Sequence, residues 1–246
     1  MKKYELTKEI KESRFGRHTL HRIVSLVDFG NVKAGDIGGW IEKEENLAQD
    51  GNAWVYDDAC VFGDAMVHGD AMVYGNARVS GDARVFGNAR VYGNAEITCN
   101  AMVKDSARVF DDAHVFGSVW VYDSAQIFGD AQVSGDAQVS GNAQVYGEAE
   151  VYGNAELLGN AEVLGETDYM VVSPIGSRQD TATFMRDSEG TIYAKIGWFF
   201  GTLDALRERA KEVHGDNAHA EAYLLAAKLA ELRIDATEID CEEGTL

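Results

Sequence analysis

From Val55 to Val163 an aliphatic residue recurs at every sixth position without a slip, through Val61, Val67, Val73 and onward to Leu157. Two residues before each of these nineteen positions stands alanine, from Ala53 to Ala161, with Val119 the one substitution. The unit reads Ala-x-Val-x-Gly-Asn/Asp, as in Ala77-Arg78-Val79-Ser80-Gly81-Asp82. Strand residues i and i+2 point to one side and the residue between them to the other, so Ala and Val face inward. Gly followed by Asn or Asp tolerates positive φ and supplies a bend. Each hexad is therefore one short strand and one corner, and three hexads close a triangular coil of 18 residues. At ~4.8 Å per coil, nineteen hexads build about six stacked coils and a prism roughly 30 Å tall.

The outward positions follow from the same period. Residues 18 apart share a face, which places Tyr56, Tyr74, Tyr92, Phe110, Phe128 and Tyr146 in one column that ends at Leu164. Six stacked rings on one edge form an aromatic stripe, and exposed apolar stripes mark contact surfaces. The expectation is a homo-oligomer, best a trimer, joined along this stripe. The competing expectation is that the chain's own C-terminal helices cover it. The mid-strand outward slot opens with Trp54, Cys60, Met66 and Met72, turns basic at Arg78, Arg84 and Arg90, and later passes through Gln126, Gln132, Gln138 and Gln144 to Glu150, Glu156 and Glu162.

Residues 1–50 lack the repeat and read as a small β cap, with strands at Tyr4 to Thr7 and Leu20 to Phe29. Turn signals stand at Gly16, Gly30, Gly35 and Gly38-Gly39. An open first coil would recruit other strands, so a cap is required, with Trp40 and Ile41 as its plugs. The repeat fills residues 51–165. Residues 166–246 read as an α+β module: strands at Tyr169 to Val172, Ala182 to Met185 and Thr191 to Ile196, then two helices. The first helix opens at Thr202-Leu203-Asp204. The second is capped by Asp216 and runs to about Leu232, with Ala222, Leu225, Ala226, Leu229 and Leu232 as its buried face.

The hexads resemble the hexapeptide-repeat family of left-handed parallel β-helices over about Gly51 to Gly165, and the handedness is what that resemblance implies. One departure is that Tyr or Phe often follows the aliphatic residue here, where the family's enzymes tend to place a small one. Together with Val27-Asp28-Phe29-Gly30-Asn31-Val32-Lys33-Ala34-Gly35-Asp36-Ile37-Gly38-Gly39-Trp40, the pattern resembles phage and prophage proteins of the polymer-forming, bactofilin-like type. The C-terminal segments Gly197 to Leu203 and His214-Gly215-Asp216-Asn217 resemble a phage-type module. This resemblance implies an accessory role in a host cytoplasm, such as inhibiting host defence by binding a host protein or a small signalling molecule.

Charge narrows the partners. The 246 residues carry 22 Lys+Arg against 41 Asp+Glu, a net charge of −19. That argues against direct nucleic-acid binding and against anionic membrane surfaces. No stretch approaches ~20 apolar residues, and the charged N-terminus shows no signal peptide. Cys60, Cys99 and Cys241 form no CxxC pair, which disfavours disulfides and structural zinc and fits a reducing cytoplasm.

Chemistry is sparse. An acyltransferase of the hexapeptide type needs a general-base histidine between subunits and usually an extruded loop. The repeats hold only His68 and His114, on different faces, and their unbroken period forbids such a loop. No nucleotide or metal motif stands in a suitable context, and the corner Asp/Asn ladder is too sparse for calcium. No cofactor, metal or catalytic residue is assigned. The one chemical stretch is Gly176-Ser177-Arg178 with Thr183 and His214, residue types that bind a phosphate or carboxylate. The leading expectation is a binding or scaffold protein for a host protein or small anionic ligand. The alternative is a hexapeptide-type acyl- or nucleotidyl-transferase with an inter-subunit site.

Overall fold

A computed structural model describes residues 2–13 and 17–234. Gly16 and Cys241 lie outside the described residues. The chain opens with β1 (Tyr4–Glu12), β2 (Thr19–Ser25) and β3 (Ile37–Ile41). Nineteen two-residue strands follow at six-residue intervals, from β4 (Trp54–Val55) to β22 (Glu162–Val163). A four-stranded antiparallel sheet comes next: β23 (Tyr169–Ile175), β24 (Asp180–Arg186), β25 (Ile192–Ile196) and β26 (Phe199–Thr202). Helices α1 (Leu203–His214) and α2 (Ala218–Arg233) close the described chain.

The two-residue strands pair in parallel with those 18 positions away, as Val91 does with Val73 and Val109, and so form three sheets. The result is a three-sided parallel β-helix, with the repeat's alanines and aliphatic residues buried along its axis. Its coils number about seven, one more than the hexads imply. The extra coil begins before the repeat: Ile41 pairs with Val61 and Leu47 bridges to Val67. Ile41 is thus a wall residue of the first coil and no plug. Trp40 points the other way and packs outside the prism against Leu20 and Cys60. That end is instead covered by Tyr4, Ile23 and Val32, all buried, with the Tyr4 hydroxyl donating to the Leu47 carbonyl at 2.6 Å, and the cap's Tyr4 and Phe29 bury the outward ring of Trp54 edge-on.

Corners reach the same torsion with glycine, with aspartate and, at Cys99 (φ 60°), with cysteine. Most place glycine in the left-handed region, as Gly75 at φ 69°. At Asp57, Asp105, Asp111 and Asp123 an aspartate adopts φ between 52° and 59° instead. Each sends a carboxylate oxygen to an amide one coil further on, as Asp123 accepts from the Gly141 N–H at 3.1 Å. Asp is among the few non-glycine residues that visit this region, and the hydrogen bond offsets the strain.

The aromatic column stacks, although with five rings. Tyr74, Tyr92, Phe110, Phe128 and Tyr146 lie 4.7 to 5.0 Å apart and within 4° of parallel. Their pitch is the interstrand spacing, so the strands themselves dictate the stack. Tyr56 leaves it and meets Trp54 edge-on. The rings cover one another's faces and present half-buried edges.

In the C-terminal module the alternation of a strand separates two jobs. Thr183 and Met185 of β24 face the prism's last coil: the Thr183 hydroxyl accepts from the Glu156 N–H at 3.0 Å, and Met185 joins the prism core. Ala182 and Phe184 face the helices. Asp168 anchors the junction. It accepts from the amides of Leu164 and Gly165 at 2.7 and 2.8 Å and pairs with the buried Arg186 at 2.7 Å.

Helix α1 starts at the expected Thr202 cap, whereas α2 is capped by Asn217, whose side chain accepts from His219 and Ala220. Of the expected face of α2, Ala226 is buried and Ala222 packs half-buried on the core, whereas the three leucines face away. Leu225, Leu229 and Leu232 are 63%, 51% and 74% exposed, and Ala220, Tyr223, Ala226, Ala227, Ala230 and Ile234 are buried. The helix carries two apolar stripes, and the one with small residues lets it sit close to α1 and the sheet.

Candidate functional site

Two turns and two helices converge on one cavity in the C-terminal module. The β23–β24 turn holds Gly176 at φ 71°, where a β-carbon would fall 1.7 Å from the Tyr223 hydroxyl. Only glycine lets this turn lean onto α2, and it delivers Ser177 and Arg178 to the rim. The β25–β26 turn brings Trp198 and Phe199 from the other side. Helix α1 contributes Leu206, Arg209, Ala210, Val213 and His214, which recur at helical spacing along one stripe. Together with Asp180, Ile196 and Tyr223 these residues enclose about 420 Å³.

The cavity has an apolar wall and a polar rim. Leu206, Ala210 and Ile196 are buried, whereas Trp198 is 96% exposed. Arg209 pairs with Glu212 at 2.6 Å, and Arg178 makes no ion pair among the described residues. The His214 ring lies 5.7 Å from that of Tyr223. Burial and then the Asp180 carboxylate raise the Tyr223 phenol above its ordinary value, against the opposing pull of Arg178. The phenol therefore stays protonated at neutral pH and can donate a hydrogen bond.

Of the residues singled out in the sequence, Ser177, Arg178 and His214 meet here. Thr183 does not, because it lies on the face of β24 that meets the prism. Sequence reading missed Arg209, Trp198, Tyr223 and Asp180. The Trp198-Phe199 pair after a glycine was visible as a turn with exposed aromatics, while the other three needed the helix packing.

A second concavity, of about 600 Å³, lies on the prism between Asn76, Arg78, Asn94, Glu96, Asp112 and His114. A ladder runs from Asn76 to Asn94 to Asp112 at 3.2 and 2.9 Å, and Arg78 pairs with Glu96 at 3.0 Å. His114 is exposed at its edge. His68 is engaged elsewhere, stacked on Phe86 at 4.9 Å. Among the described residues no cluster of three His, Cys, Asp or Glu side chains could hold a metal ion, and no helix is long and apolar enough to cross a membrane.

These features define a repeat β-solenoid protein with a ligand-sized cavity in an appended module. The YdcK β-solenoid repeat model matches residues 71–85, 83–96, 125–141 and 131–147. A curated relative, the uncharacterized acetyltransferase YdcK of Escherichia coli (strain K12), is 40% identical over 63 residues, which are 23% of this chain. The match spans 19% of that relative's length. The phage-type resemblance of the flanking segments rests on the sequence alone.

Proposed function

We propose that this chain is a binding protein for a small anionic ligand, held in the C-terminal cavity and carried on the prism as a rigid support. The observation that supports this reading most is the meeting of Arg178 and Arg209, from separate elements, over an apolar wall of a size usual for small-molecule sites. Guanidinium groups match phosphate and carboxylate oxygens with paired donors. Titration of the full chain with pyrophosphate should give saturable binding that weakens with added salt. The double substitution R178A/R209A should weaken it at least tenfold, since each charge-assisted hydrogen bond contributes roughly 1.5–3 kcal/mol. Equal binding by both proteins would remove the reading.

A second reading has its own support. The family-matched segments 71–85 and 83–96 carry Asn76, Arg78, Asn94 and Glu96 of the prism groove, and the curated relative's name is that of an acetyltransferase. In an acyltransferase His114 would take the proton of an acceptor amine or hydroxyl as it attacks a thioester carbonyl, and return it to the thiolate that leaves as the C–S bond breaks, with a second copy closing the groove. Sedimentation and an acetyl-thioester turnover assay decide this. A trimer whose turnover falls about 10²–10⁴-fold on His114→Ala favours it. A monomer, or turnover untouched by the substitution, removes it.

A further inference from the structure

We infer that the C-terminal cavity takes a nucleotide, a ligand that joins a planar heterocycle, a hydroxylated sugar and a phosphate; this rests on the anion-binding reading above. Three kinds of group surround one space. The first is aromatic: Trp198 and Phe199 border the cavity from the β25–β26 turn, and Tyr223 borders it from α2. Trp198 stands 96% exposed at the tip of a tight turn, where Gly197 has φ 52°. An indole held at a cavity mouth, with no partner on its face among the described residues, is a platform on which a base stacks. The second group is cationic, Arg178 on a turn and Arg209 on α1, and both reach outward where a phosphate would remain near solvent.

The third is Asp180, and it decides between ligands. Its carboxylate lies by the β25–β26 turn, close enough that a β-carbon on Gly197 would fall 3.0 Å from Oδ2. A bare phosphate gains nothing from a carboxylate in its site and is repelled by it. A sugar with free hydroxyls donates to that carboxylate, as ribose does to acidic residues in dinucleotide sites. An inorganic anion would also leave the wall of Leu206, Ala210 and Ile196 wet. The apolar wall, the carboxylate and the guanidiniums are all used at once only by a ligand with a ring, hydroxyls and a phosphate.

The test is calorimetric titration of the full chain with AMP, GMP, CMP and UMP, beside ribose 5-phosphate, adenosine and inorganic phosphate. At least one nucleotide should bind about tenfold or more tightly than both ribose 5-phosphate and adenosine. Trp198→Ala, at an exposed position that the fold tolerates, should reduce nucleotide affinity between about 5- and 150-fold, the range of base stacking. The same substitution should leave ribose 5-phosphate binding unchanged. Ribose 5-phosphate or inorganic phosphate binding as tightly as every nucleotide overturns the nucleotide assignment and leaves the anion site standing. Adenosine binding as tightly as AMP overturns the assignment by making the phosphate irrelevant. No binding of any phosphate-bearing probe overturns both readings together.

Discussion

Asp168→Ala is expected to undock or unfold the C-terminal module while the prism stays intact. Asp168 and Arg186 are both buried where the last coil meets β24. Removing one partner of a buried ion pair costs about 3–5 kcal/mol, because the remaining charge keeps its desolvation penalty. The amides of Leu164 and Gly165 lose their acceptor in the same step. That sum is of the order of the whole stability of a small domain. Urea unfolding should split into two transitions, with protease cleavage appearing near residues 164–168 under conditions where the parent chain is resistant. Asp168→Asn keeps an acceptor for the amides and should lose less. Replacing Arg186 by methionine in the Asp168→Ala background should recover part of the loss, since an apolar pair of similar volume is tolerated there. A single transition at the parental midpoint for Asp168→Ala would contradict the junction described above.

The second large effect belongs to the opposite end. Gly39→Ala should dislodge the first coil, although alanine is the smallest change available. A β-carbon on Gly39 would sit 2.6 Å from Cγ1 of Val55, 2.7 Å from the Ala59 carbonyl and 2.9 Å from the Tyr56 carbonyl. Two of these neighbours are backbone and cannot rotate away. Overpacking a rigid site costs about 1–3 kcal/mol, and occasionally more. Displacing β3 also bares the parallel edge of β5 (Cys60–Val61), which pairs with it. A bare edge recruits strands from other chains, so the lowered melting temperature should come with light scattering that rises with protein concentration. Gly165→Ala is the matched control: a β-carbon there meets nothing within 4 Å among the described residues. Equal behaviour of the two variants would mean that the close approach at Gly39 does not hold the cap.

The prism was legible because its sequence repeats one physical statement nineteen times. Every inward Ala and aliphatic position is buried where the period of two places it. The first coil was hidden because its inward residues Ile41, Leu47 and Val55 are spaced by six and then eight, so two extra residues break the period. The helix α2 misled for a different reason. Hydrophobicity favours leucine over alanine, whereas close packing of a helix on a sheet favours the smaller residue. The candidate site was half visible: Ser177, Arg178 and His214 stood out as chemical residue types. Thr183 was drawn in by proximity along the chain, and strand alternation turns it the other way. Arg209 and Asp180 carry no local signal, because only the packing of α1 on the sheet brings them to the same space.

The fixed register of 18 residues has one more consequence. Each coil meets only its two neighbours, and each adds the same rise without changing what either end presents. The separation between the N-terminal cap and the C-terminal cavity is therefore a length measured in whole coils, at ~4.8 Å per coil. Deleting or duplicating 18 residues would change that length by one increment and leave both ends chemically as they are. The molecule is built as a ruler whose gradations evolution can add or remove one at a time.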